Sequence, residues 1–196
     1  MRISGGESRG RPLKAPRKGG IRPTSDKARE ALFSILADRT DGAVFLELFA
    51  GTGAVGIEAL SRGAARAVFV DSSKKAVRLI TENLEGLGLR GRAAVVAMDC
   101  LRFIRGRAPL LGPFDLVFVD PPYHEGMGGR VMDAIGEAPA EAVDGEARDC
   151  LAPGAAVVYE HFKKQETPGS YGRLVKKKDY AYGDTVLSVY VLAGEG

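Results

Sequence analysis

Short apolar runs that close on an acid or a glycine turn, each followed by a helical stretch, constrain this chain most. The stretch "AVFLELF" (43–49) runs into "AGTGAVG", while "ARAVFVD" (65–71), "RAAVVAMD" (92–99) and "FDLVFVD" (114–120) end at Asp71, Asp99 and Asp120. Between them, "IEALSRG", "SKKAVRLITENLEGLG" and "CLRFIRGR" read as helices. In the longest, Ala76, Leu79, Ile80, Asn83 and Leu84 fall near one face before a closing glycine. Strands alternating with helices predict an α/β fold built on a mainly parallel sheet. In such folds ligands sit beyond the carboxyl ends of the strands, which is where the three aspartates fall.

The flanks complete this frame. "TSDKAREALFSILADR" (24–39) predicts a helix capped by Thr24 or Ser25, with Ala28, Leu32, Ile35 and Leu36 as its apolar stripe. Residues 130–151 read as helical and "AAVVYEHF" (155–162) as a fifth strand. "RLVKKKDYAYGDTVLSVYVL" reads as two antiparallel strands joined around Tyr182-Gly183-Asp184. At 196 residues with 45% hydrophobic and 27% charged content, the chain has the balance of one soluble domain, expected in the cytoplasm. Its apolar runs fall far short of the roughly 20 residues that span a bilayer. Two cysteines and two histidines in no ligand spacing predict reduced thiols and no metal.

The glycine turn and the acids specify a cofactor. Gly51 and Gly53 let the backbone turn sharply and approach a ligand. Asp71 lies 20 residues beyond Gly51, the separation at which an acid accepts hydrogen bonds from ribose hydroxyls. Gly51, Gly53 and Gly56 also satisfy a dinucleotide spacing, but Glu47 before the turn would face a pyrophosphate unfavourably. An acid there suits a positive group, such as the amino-acid end of S-adenosyl-L-methionine. Asp99 could accept a hydrogen bond from an adenine amine, and Cys100 either lines the adenine pocket through its backbone or is a small buried residue. Individually, Asp71 and Asp99 also fit ordinary strand-end turns, and the glycines fit tight packing.

Asp120-Pro121-Pro122-Tyr123 points to methyl transfer onto an exocyclic amine. The lone pair of such an amine is delocalised into its ring. A carboxylate and a backbone carbonyl that accept its two N–H bonds favour the pyramidal form that can attack a sulfonium methyl. Asp120 and the Pro121 carbonyl supply these acceptors, and the prolines fix φ so that both are held in place beforehand. Tyr123 offers a face on which a flipped-out base stacks. The bland alternative for Asp120 is a turn former after a strand.

This D-P-P-Y turn is similar to the catalytic motif of amino-methyltransferases. Together "MRISGGESRGRPLKAP", "RPTSDKAREALFSIL", "LFAGTGAVGIEALSRGA", "FVDPPY" and "YGDTVLSVY" resemble, end to end and in order, the RsmD family of 16S ribosomal RNA guanine-N2 methyltransferases. The resemblance implies a Rossmann-like class I methyltransferase domain (24–196), with a mainly parallel seven-stranded sheet and an antiparallel C-terminal strand. It implies S-adenosyl-L-methionine as cofactor, and 16S ribosomal RNA or the small subunit particle as partner of a monomer. Asp120, Pro121, Pro122 and Tyr123 take the catalytic positions. Glu47, Phe49, Gly51 and Gly53 take the cofactor loop, Asp71 and Ser72 the ribose position, and Asp99 and Cys100 the adenine position. Glu47 stands where the family usually has Asp, and Asp71 where Glu is commoner; neither change removes the charge. A DNA adenine-N6 methyltransferase would use the same turn, but the chain has no evident target-recognition domain. A non-catalytic RNA-binding assembly factor would keep the fold without needing Asp120.

Charge is uneven along the chain. Residues 1–30 carry a net +6 and the remainder a net −3. A basic extension (1–23), rich in Gly and Pro, reads as a hairpin or arm on which Arg9, Arg11, Lys14, Arg17, Lys18 and Arg22 contact phosphates. These residues would position RNA without choosing the base. Lys176, Lys177 and Lys178 read first as a solvated strand edge and second as an RNA contact. His124 and His161 read as local rather than chemical residues.

Overall fold

A computed structural model describes residues 1–15, 26–122, 126–137 and 148–193. The chain divides into two compact units, Met1–Asp99 and Cys100–Gly196.

In the first unit, β1 (Val44–Leu48), β2 (Arg66–Asp71) and β3 (Ala93–Ala97) pair in parallel in the order β3-β2-β1. Near-continuous apolar sequence suits parallel strands buried on both faces, and Phe45, Leu46, Leu48, Val68, Phe69 and Val70 are all withdrawn from solvent. Two helices follow β1 and β2: α2 (Ala54–Ser61) and α3 (Lys74–Leu87). Ser73 caps α3 by accepting the Ala76 N–H, and Gly88 ends it at φ 75°, a left-handed C-cap that glycine adopts without a Cβ clash. The expected strand to Asp99 is shorter. β3 stops at Ala97, and Met98 turns back to donate its N–H to the Asp71 carbonyl at 3.1 Å.

α1 (Asp26–Leu36) buries Ala28, Leu32 and Leu36 as the stripe requires, with Phe33 and Arg29 beside them. A 3-10 turn, Ala37–Thr40, continues it; the proposed caps Thr24 and Ser25 lie outside the described residues. Residues 1–15 form a small hairpin, with an antiparallel bridge between Arg2 and Pro12. Ile3 and Leu13 are buried, and the Glu7 N–H donates to the Ser61 carbonyl at 2.8 Å. The basic start of the chain is therefore packed on the first unit as far as residue 15.

In the second unit, β4 (Phe114–Val119) pairs in parallel with β5 (Leu151–Phe162). β8 (Thr185–Leu192) is antiparallel to β5 and to β7 (Leu174–Tyr182), and β6 (Ser170–Tyr171) pairs with the start of β7. The antiparallel ending is as expected. Among the described residues the two-residue β6 brings the strands to eight, and β5 starts four residues earlier than its apolar core suggests. The early start passes through Gly154 at φ 69° and a register shift against β4. The helices are α4 (Cys100–Gly106), α5 (Ala108–Leu111) and α6 (Met127–Gly136). The helix expected over 130–151 thus ends at Gly136, and residues 138–147 lie outside the described residues.

Among the described residues no helix is long and apolar enough to cross a membrane.

Candidate active site

The turn between β1 and α2 is built from backbone that most residues avoid. Phe49 sits at φ 57°, Gly51 at 54° and Gly53 at 73°. A left-handed non-glycine residue such as Phe49 is uncommon and is held only where its surroundings over-determine it. Here the Ala50 N–H donates to the Val70 carbonyl at 3.1 Å, and Gly53 closes the turn on the Ala50 carbonyl at 2.7 Å. A Cβ on Gly53 would lie 3.1 Å from Ile80, so α3 packs against the turn where only glycine leaves room.

Two carboxylates hold this turn from either side. Glu47, buried at the end of β1, accepts the N–H of Gly56 at 2.8 Å and of Val55 at 3.3 Å. These are first-turn amides of α2 with no partner inside the helix, and the negative charge lies at the positive end of the helix dipole. Asp71, half-buried at the end of β2, accepts the Gly51 N–H on Oδ2 and the Ser73 N–H on Oδ1, both at 2.8 Å. One oxygen thereby fixes the glycine turn and the other fixes the entry to α3. A carboxylate has about four acceptor sites, so two amides leave capacity for hydroxyl donors. Ser72 beside it is exposed. Asp99 is half-buried just past β3, and Cys100, which opens α4 in the second unit, is buried. These donors and acceptors fit a ribose and a cationic cofactor: a half-exposed acid at the strand end, a turn that lacks Cβ atoms at Gly51 and Gly53, and a negative rather than positive lining.

Asn83 was read from sequence only as a member of the α3 face. Its Nδ2 donates to the Thr52 carbonyl and to the Lys14 carbonyl, both at 3.2 Å, while Oδ1 accepts the Lys14 N–H at 2.8 Å. One buried amide therefore ties the cofactor turn to the N-terminal hairpin. Arg29 and Glu58 were also missed. The signal available was an acid inside the otherwise apolar "AVGIEAL" of α2.

In the second unit, β4 delivers Asp120. Val119, its last residue, is buried and pairs with Tyr159 of β5; Asp120 follows, half-buried, then a buried Pro121 and an exposed Pro122. Tyr123 and His124 lie outside the described residues. His161 is buried within the sheet, with Nε2 2.7 Å from the Ser188 hydroxyl and Nδ1 2.9 Å from the Phe162 carbonyl.

The basic residues divide. Arg9 is exposed. Arg11 donates to the Gly86 carbonyl at 2.6 Å and the Leu87 carbonyl at 3.1 Å, capping the C-terminus of α3. Lys14 pairs with Glu82 at 2.9 Å. Arg17, Lys18 and Arg22 lie outside the described residues.

Residues 1–191 match the model of the family described as conserved hypothetical protein 95, which is the RsmD family. The chain belongs to this family. It is 36% identical over 194 residues to a Bacillus subtilis protein, YlbH, provisionally named an rRNA methyltransferase; the match spans 99% of this chain and 100% of that one. Against the Escherichia coli protein named ribosomal RNA small subunit methyltransferase D it is 41% identical over 127 residues, 65% of this chain and 62% of the relative. The solved structure of an Escherichia coli protein, yhhF, provisionally described as a methyltransferase, superposes with a TM-score of 0.83 at 29% identity. That superposition covers 100% of this chain and 99% of the other. The fold is the Rossmann-like class I fold, and the chain is a methyltransferase.

Proposed function

We propose that this chain methylates the exocyclic N2 amine of one guanine in 16S ribosomal RNA, acting as a monomer in the cytoplasm. The observation that carries this reading is the half-buried Asp120 placed by a buried strand directly ahead of two prolines. Relatives named as ribosomal RNA methyltransferases support the choice of RNA.

When bound, S-adenosyl-L-methionine supplies an electrophilic methyl group. Asp71 would hold the ribose by accepting from its hydroxyls, Asp99 would accept from the adenine amine, and the turn from Phe49 to Gly53 would hold the cofactor beside them. Glu47 acts by holding the α2 amides that shape this turn. At the other half of the chemistry, the Asp120 carboxylate and the Pro121 carbonyl each accept one N–H of the guanine amine. Those two bonds turn the nitrogen lone pair out of conjugation with the ring, and Asp120 is the group placed to hold the proton the amine sheds. Both acceptors are fixed before the substrate arrives, so the cost of orienting them is not met during reaction. Tyr123 stacks on the flipped base, a contribution of roughly 1–3 kcal/mol. Arg9, Arg17, Lys18 and Arg22 contact phosphates.

The test is incorporation of labelled methyl from S-adenosyl-L-methionine into unmodified 16S ribosomal RNA and into small subunit particles, with nucleoside analysis. N2-methylguanosine at one site is expected. Asp120→Ala should lower transfer by about 10²–10⁴-fold with cofactor binding retained. Methylation of DNA but of neither RNA form would overturn the substrate, and full activity of Asp120→Ala would overturn the mechanism.

A further inference from the structure

The Tyr182-Gly183-Asp184-Thr185 stretch, which marks the family resemblance, has no part in the chemistry above. It forms the turn between β7 and β8, with Gly183 at φ 63°. The Lys163 N–H donates to the Asp184 carbonyl at 2.9 Å, so the basic loop leaving β5 is fastened beside this turn.

Register places this turn relative to the catalytic strand within the second unit. Val119 pairs with Tyr159, Tyr159 with Ser188, and Ser188 with Asp179. One residue further on, Asp120 falls at the level of Glu160, Leu187 and Tyr180, which pair in turn. Two residues beyond that come Phe162, Thr185 and Tyr182. The carboxyl end of β4 and the Tyr180–Tyr182 end of β7 thus lie along the same side of the sheet. They are three strand spacings apart, or about 14 Å at ~4.8 Å each. A few nucleotides of single strand suffice to cover that distance.

The side chains there have the chemistry of a nucleic-acid track. From Lys177 onward no strand among the described residues pairs the outer side of β7. Lys163, Lys164, Lys177 and Lys178 are exposed, against Glu166 and Asp184 as exposed acids with no cation bound to them in the same stretch. The neighbouring charges are committed internally: Lys176 to Thr167 and Asp179, and Arg173 to Asp149. Lys178 Nζ stands 4.9 Å from the Tyr180 ring, and Tyr182 is 39% exposed. Aromatic faces beside lysines bind bases by stacking and phosphates by charge.

We infer that the edge formed by Lys163, Lys164, Lys178, Tyr180 and Tyr182 carries the nucleotides flanking the target base, so that RNA entering the Asp120 turn continues along the carboxyl end of the sheet onto β7. This rests on the ribosomal RNA reading for its substrate. The edge adds a phosphate-binding surface within the second unit, whereas in the N-terminal hairpin Arg11 and Lys14 make contacts within the chain.

The test measures binding of unmodified 16S ribosomal RNA to the full chain as a function of salt, with methyl transfer followed in parallel. The variants are Lys163→Gln/Lys164→Gln/Lys178→Gln and, separately, Tyr182→Ala. The triple variant should weaken RNA binding at least about tenfold and reduce the slope of log K against log salt by about 2. Tyr182→Ala should weaken it by about five- to a hundredfold with the slope unchanged. S-adenosyl-L-methionine affinity should stay at the wild-type value in both, which also reports that they are folded. Wild-type RNA affinity and salt slope in both variants would overturn the inference. So would unchanged affinity with new self-association, which would assign the lysines to edge protection. Absence of methyl transfer by the wild-type chain would instead count against the proposed reaction, while the binding comparison still decides the surface.

Discussion

Arg29 Nε lies 2.6 Å from Glu58 Oε2, and neither side chain has any exposure. The pair joins α1 to α2 and extends to the N-terminal hairpin. Ser4 donates its hydroxyl to Glu58, Arg62 donates at 2.8 Å, and Arg29 Nη2 reaches the Arg2 carbonyl at 2.6 Å. Glu58→Ala leaves a buried guanidinium without its counter-charge and is expected to cost roughly 3–5 kcal/mol. Replacing both members together by Arg29→Met and Glu58→Leu should cost less, because no fully buried charge is left uncompensated and Arg62, which also loses Glu58, has a side chain 29% exposed to water. Urea unfolding of the three proteins checks both statements.

The same carboxylate gives stability a pH dependence. Burial acts to raise the Glu58 pKa, but hydrogen bonds from Ser4, Arg62 and Arg29 outweigh it and hold the group below its ordinary 4.5. A carboxylate lowered on folding contributes stability that is complete above its unfolded pKa and is lost as pH falls through its folded value. The wild-type unfolding free energy should therefore fall as pH drops below about 4.5, and Glu58→Gln should flatten that decline. Some slope will remain, since Asp149 and Asp179 are also lowered: burial raises each, but Arg173 at the first and Ser188 and Lys176 at the second prevail. Unfolding curves at pH 3 to 7, as approximate limits, separate the two proteins.

What could be read from the sequence was local. Acid-ended apolar runs, the glycine turn and the Asp120-Pro121-Pro122 turn each depend on residues within a few positions of one another. Commitments made across the chain could not be read. Glu58 looks like a solvent-facing acid until Arg29, 29 residues away, is placed against it. Arg11 and Lys14 count as cations available to RNA, yet each spends part of its donor capacity on α3, Arg11 on the Gly86 and Leu87 carbonyls and Lys14 on Glu82. Glu47 is expected at the cofactor amine, and what the sequence does not show is that its carboxylate also accepts the first-turn amides of α2. Charge counting records how many cations a segment has, and packing decides which of them remain available.

Asn83 makes the cofactor turn sensitive to the N-terminal hairpin. Asn83→Ala removes one acceptor and two donors, leaving the Lys14 N–H, the Lys14 carbonyl and the Thr52 carbonyl without this partner, at a cost of about 1–3 kcal/mol for each group left unsatisfied. Asn83→Asp keeps the acceptor for the Lys14 N–H and loses both donations, to the Thr52 and Lys14 carbonyls. Both substitutions should weaken S-adenosyl-L-methionine binding several-fold, and calorimetric titration would show whether Asn83→Asp does so as Asn83→Ala does. Equal loss assigns the effect to the two amide donations; a smaller loss in Asn83→Asp assigns part of it to the bond from the Lys14 N–H of the hairpin.

Gly56 tests how tightly the turn is packed. A Cβ there would lie 2.5 Å from Phe69 Cε1 and 2.9 Å from Glu47 Oε2. Phe69 is fully buried in β2 and has no open space to enter, so Gly56→Ala should destabilise by about 1–3 kcal/mol and displace the Glu47 cap. Gly86→Ala is the control, because no atom lies within 4 Å of its Cβ position in α3. It should stabilise by roughly 0.5–1 kcal/mol through helix propensity. Thermal unfolding of the pair resolves the opposite signs.

Asp71 and Asp120 should separate kinetically, since one acts on the cofactor and the other on the amine. Asp71→Asn replaces one acceptor oxygen by an amide group, and an N–H cannot accept from either Gly51 or Ser73. One of two bonds now at 2.8 Å is therefore lost, along with the charge that would receive ribose hydroxyls. Hydrogen bonds to a charged group contribute about 1.5–3 kcal/mol each, so KM for S-adenosyl-L-methionine should rise by roughly ten- to a hundredfold. At saturating cofactor kcat should stay near the wild-type value, because nothing at the amine has changed. Asp120→Ala should show the reverse, with cofactor KM preserved and kcat collapsed. Were Asp71→Asn to lose kcat while keeping its cofactor KM, the carboxylate at the end of β2 would have to act in the transition state rather than in binding, and the division of roles between the two strand-end acids would be wrong.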